Sequence, residues 1–110
     1  MASSQIDAKR VRFNDSLIET IDETLSAILS REVMDSLYAR MKRNHAISKD
    51  EIPYRLDALF SELEIVFGVG AKTLSRAIAQ RFYQKLGLEF PSLSGATLLE
   101  YVEMAKQKIA

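Results

Sequence analysis

Gly68-Val69-Gly70-Ala71-Lys72-Thr73 is the run of this sequence that comes nearest to a chemical motif. A glycine-rich loop ending in lysine and a hydroxyl residue is the form that cradles phosphates, with backbone amides and a lysine turned toward the anion. Two requirements of that motif fail here. The lysine must directly follow glycine, and Ala71 stands between them. A strand must precede the loop, whereas Leu56 to Phe67 has the period of a helix. The run therefore predicts a helix terminator at Gly68, a tight turn through Gly70 and a new helix. The amides at that helix start could hold an anion, a property shared by helix N-termini in general.

The following segment, Ala71 to Leu86, carries four bases and no acid. A helix that follows a glycine turn with such a charge pattern suits DNA recognition, in which case Lys72, Thr73, Arg76 and Gln80 would meet phosphates and base edges. Other basic groups lie at Lys9, Arg10 and Arg12, and at Arg40, Lys42, Arg43 and His45. Against this reading, fifteen Lys and Arg are offset by fifteen Asp and Glu, and a nucleic-acid footprint normally shows a clustered basic excess. A solvated helix face explains the same residues, so nucleic acid is not the favoured partner.

The inventory for catalysis is thin. His45 is the one imidazole, with no second ligand at zinc-binding spacing. The acid pairs Asp22 with Glu23 and Glu62 with Glu64 sit one or two residues apart, and such neighbours do not face each other on a helix. The chain contains no cysteine, which excludes disulfides, thiolate metal sites and a cysteine nucleophile. No catalytic, metal or cofactor residue is assigned, and the chain is read as non-enzymatic.

Helices must position whatever this chain does. Leu17, Ile18, Ile21, Leu25 and Ile28 share one face of a helix from about Asp15 to Leu29, with Asn14 or Asp15 as N-cap. Ser30 caps a second, Arg31 to Arg43, with Val33, Met34, Leu37, Tyr38 and Met41 inward and Asn44 as its left-handed stop. Ser48 and Glu51 have the spacing of a capping box, with Ile47 as the apolar staple before it. Pro53 then breaks the turn and opens a third helix, whose apolar side runs from Leu56 to Phe67 and which Gly68 ends. Gly87 terminates the Ala71 to Leu86 helix. Ser94 caps a last one, with Leu98, Val102, Ala105 and Ile109 inward. Residues 1–13 read as an arm or a frayed helix, and residues 14–110 as one domain.

The expected architecture is all-α, a single compact bundle of five to six helices with short linkers. At 110 residues the chain is long enough for one core without metal or disulfide. No apolar run is long enough to span a membrane and no apolar leader opens the sequence, so a cytoplasmic location is expected. Ile6, Val11 and Phe13 in the arm, with Leu99 and Tyr101 beside the stripe of the last helix, are surplus apolar residues. They are the candidate interface for a protein partner, a homodimer among the forms it could take.

Ile52-Pro53, Phe67-Gly68, Gly70-Ala71, Leu86-Gly87 and Tyr101-Val102 follow one another through the segments ISKDEIP, LDALFSELEIVFGVGAKTLSRAIAQRFYQKLGLEF and LLEYVEMAKQKIA. In that order they resemble a group of small uncharacterised archaeal helical domains, found alone and at the ends of signalling chains as output domains. The resemblance covers about the last two thirds of the chain and extends more thinly over Asp15 to Arg43. It implies a helical fold and a signalling setting, and it transfers no catalytic residue. The resulting expectation is an interaction domain that serves as an output or adaptor module, with a helix-turn-helix-like DNA-binding regulator as the alternative.

Overall fold

Phe13, Leu17, Ile21 and Leu25 recur every four residues and are all buried, which makes the first helix the spine of the core. The computed structural model describes the backbone of residues 2–109 and the side chains of residues 12–109. Helix α1 (Ala2–Ile28) leads to α2 (Arg31–His45), a 3₁₀ turn (Lys49–Tyr54), α3 (Leu56–Phe67), α4 (Gly70–Leu86) and α5 (Leu98–Ile109). The fold is all-α, a bundle of six helical elements with no strand among the described residues.

Contacts fix the directions of the first four α-helices. Thr24 and Ile28 of α1 lie beside Gln80 and Ala77 of α4, while Glu23 reaches Lys85. Tyr38 of α2 donates to Asp22 of α1, and Arg40 of α2 reaches Glu62 of α3. Helices α1 to α4 therefore alternate in direction, and α5 lies against α4 through the bond from the Tyr83 hydroxyl to the Tyr101 carbonyl, 2.6 Å. The core unites Met34, Leu37 and Met41 of α2 with Leu59 and Leu63 of α3 and with Ile78 and Phe82 of α4. Thr20 and Thr24 lie in the buried stripe because their hydroxyls donate to the carbonyls of Ser16 and Thr20, one turn back.

Several local expectations are corrected. The first helix begins at Ala2 rather than Asp15, since the helix formers among residues 5–12 carry it straight through Asn14 and Asp15. Asn14 instead donates to the Tyr54 hydroxyl, 2.9 Å. Phe13 is no arm residue: it is 6% exposed and edge-on to Phe82, with centroids 5.1 Å apart. The left-handed stop of α2 is Ala46, not Asn44. Pro53 lies within the 3₁₀ turn, so α3 starts three residues later at Leu56. Helix α5 is capped by Thr97, whose hydroxyl accepts from the Glu100 amide at 3.1 Å while Glu100 accepts from the Thr97 amide. Ser94 lies outside it. Ile28, Val33, Val66 and Ile109, placed on inner stripes by spacing, are exposed, and each lies within three residues of a helix end.

Other signals hold. Ser30 caps α2 through its hydroxyl, which accepts from Val33, and Ile47 is buried ahead of the Ser48–Glu51 turn. There the Glu51 carboxylate accepts from both the amide and the hydroxyl of Ser48. Gly87 is left-handed, as a helix terminator should be.

Candidate functional site

The Gly68–Thr73 run is a connector between helices. Gly68 at φ 58°, ψ −126° and Val69 at φ −64°, ψ −21° have the angles of a type II′ turn, and α4 starts at the next residue. Gly68 has the positive φ expected of the terminator, but in this turn geometry rather than the left-handed helical one. Gly70 is the first residue of α4 and has no positive φ. The preceding element is helix α3, so the strand a phosphate loop needs is absent at this position.

Lys72, Thr73, Arg76 and Gln80 are all exposed along α4. The other two bases of that helix are neutralised within the molecule. Lys85 Nζ lies 2.8 Å from Glu23 and 3.4 Å from Glu19 of α1, and Arg81 lies 3.8 Å from Glu23. These pairs lower the Glu23 carboxyl and raise the Lys85 ammonium, the hydrogen bond between them being the main cause. The Arg76 guanidinium rests 5.7 Å from the Phe90 ring centroid. Arg40, from the second basic group, turns into the protein toward Glu62.

Glu62 is the residue whose setting the sequence reading missed. Its side chain is 1% exposed on α3 and accepts from three groups of α2. These are Arg40 Nε at 2.8 Å, Asn44 Nδ2 at 3.0 Å and His45 Nε2 at 3.2 Å. The bond from Asn44, then those from Arg40 and His45, hold the Glu62 carboxyl below the usual glutamate range in spite of burial. A signal was present: Glu62 falls three after Leu59 and one before Leu63, an acid inside an apolar stripe, which requires a partner. Arg40 and Asn44 are one turn apart on α2 and converge on it. The carboxylate is occupied on both oxygens, so the cluster works as a clamp between α2 and α3. Asp22 forms a smaller node, accepting from Lys49 at 3.0 Å and from the Tyr38 hydroxyl at 3.1 Å. Lys49 holds the Asp22 carboxyl low, and burial together with Asp22 raises the Tyr38 hydroxyl.

The expected interface residues separate. Tyr101 is 2% exposed, packed in an aromatic group with Tyr83 and stacked on Phe90 at 4.8 Å, so it is core and no contact surface. Phe13 is core as well. Leu99 is exposed as expected. Ile6 and Val11 lie outside the residues whose side chains are described. Exposed apolar residues instead collect at one end of the bundle, where α1 and α3 finish and α2 and α4 begin. Five of the nine large apolar side chains exposed among the described residues are there: Ile28, Val33, Ile65, Val66 and Val69. Val69 is 95% exposed at the tip of its turn and Ile65 61% exposed. Beside them the α2–α3 seam, closed at Glu62, opens into a groove lined by Val33, Leu37, Val66 and Phe67 together with Glu32 and Ser36.

Comparison with family models, curated proteins and solved structures gives no match to this chain. No helix among the described residues is long and apolar enough to cross a membrane.

Proposed function

We propose that this chain is a non-enzymatic helical interaction domain that works by protein–protein contact through the apolar end of its bundle. The observation that carries the reading is the gathering of Ile28, Val33, Ile65, Val66 and Val69 at that end, beside an apolar groove. Solvent contact with such a cluster is unfavourable, and covering it with a partner recovers roughly 25 cal/mol per Å² of apolar surface before the costs of association. The groups best suited to acid–base chemistry are engaged elsewhere. Glu62 and His45 are bound to each other, with both oxygens of Glu62 satisfied. An output or adaptor role in archaeal signalling, implied by the resemblance of the Ile47–Ala110 segment, belongs to this same reading, with the cytoplasm as its setting.

A photo-reactive side chain placed at position 69, in cells that make the protein naturally, tests the proposal. The expected result is a discrete cross-linked protein adduct at position 69 and none at the exposed position 103 on α5. Equal labelling at both positions, or none at 69, would overturn it. The DNA-reading alternative has less support, because Arg81 and Lys85 pair with α1, and Lys72 and Arg76 are the two bases of α4 with no ion-pair partner among the described residues. It would require a gel shift that weakens steeply with salt and disappears in Lys72→Glu with Arg76→Glu.

A further inference from the structure

The apolar end carries both a projection and a recess. Val69 stands out almost wholly exposed on the II′ turn, and the groove between Val33 and Val66 opens three residues back in the chain, at the last turn of α3. A projection and a recess side by side on one surface are what an isologous pair needs, since a two-fold axis between them places each copy's projection at the other's recess. Charge points the same way. Arg31 and Lys72 on one hand, and Glu32 and Glu64 on the other, occupy the helix turns at this end. All four are exposed and none has an ion-pair partner among the described residues. Two charges of each sign give a polyanion, whether lipid or nucleic acid, as much repulsion as attraction. They give a second copy acids and bases to set against bases and acids.

We infer that this end seats a second copy of the chain, with Val69 of each protomer entering the Val33–Val66 groove of the other. The inference rests on the interaction-domain reading and names the partner.

Light scattering and sedimentation of the full chain, from low to high micromolar concentration, test it. A concentration-dependent dimer is expected. Val69→Glu and Val33→Glu should each raise its dissociation constant by at least about 30-fold, the effect of removing a central anchor. Leu99→Glu, at an exposed position of α5 outside the proposed contact, should leave it unchanged. Val69 points into solvent, so Val69→Glu keeps the fold, which helical circular dichroism verifies. That variant carries the test if Val33→Glu fails to fold. A chain that stays monomeric at high micromolar concentration overturns the inference. So does a dimer that Val69→Glu leaves intact and Leu99→Glu dissociates. A monomer whose position 69 still cross-links to a different protein sinks the second copy and spares the interaction reading. A monomer with no adduct at 69 sinks both.

Discussion

Glu62 shows at the scale of one residue how a charge becomes a structural part. Its carboxylate is ionised in the fold at pH values where a free glutamate would begin to take up a proton, because Asn44, Arg40 and His45 all favour the charged form. The unfolded chain, with the ordinary and higher pKa, binds that proton first as the pH falls. The stabilisation is therefore complete above the ordinary glutamate range and is lost as the pH drops through the lowered folded value. Glu62→Gln should flatten this acid limb of stability, measured as melting temperature against pH from neutral to strongly acid. At neutral pH it should cost about 1–2 kcal/mol, the lower part of the range for a buried hydrogen-bonded charge, since Arg40 and His45 remain partly exposed and screened. A variant with the same acid dependence as the parent would show that the clamp does not stabilise the fold.

At the scale of an element, helix ends separate the signals that local sequence carries from those it does not. Both Ser94 and Thr97 look like caps, but only Thr97 is followed at the third position by an acid that reaches back to its amide. Thr97→Ala should lower the urea midpoint by an amount equivalent to about 1 kcal/mol, and Ser94→Ala should leave it where it is. The Gly68–Gly70 connector divides in the same manner. A side chain at Gly68 would meet nothing within 4 Å, yet its φ of 58° with ψ of −126° suits glycine alone. Gly68→Val should thus cost roughly 1–3 kcal/mol through backbone strain rather than collision. A Cβ at Gly70 makes an ordinary 3.6 Å contact with Phe67 Cβ, and no positive φ opposes it. Gly70→Ala should be neutral or stabilise by up to about 1 kcal/mol in the same melts, by restricting the unfolded chain.

The whole molecule depends on α1, whose 27 residues would extend about 40 Å and match the 42 Å long axis. Phe13 fixes it to α4 against Phe82. Phe13→Ala should destabilise the entire domain by about 3–5 kcal/mol in denaturant melts, the cost of emptying a buried aromatic site. A loss of association without loss of stability would instead return Phe13 to the role of an arm residue. By itself the sequence determined the all-α class, the number of main helices, most of the core stripes, the Ser30 cap, and the helix stops at Gly68 and Gly87. Those features follow from spacing and from backbone preferences that act within a turn or two of chain. Only the tertiary structure decided that Tyr101 and Phe13 are core, that Arg81 and Lys85 are neutralised by α1, and that Arg40, Asn44 and His45 meet on Glu62. It also decided that Ile28, Val33 and Val66, placed inside by their spacing, share an exposed end with Val69. Burial and pairing depend on which helix lies opposite, and that is set by residues tens of positions away that no local pattern records.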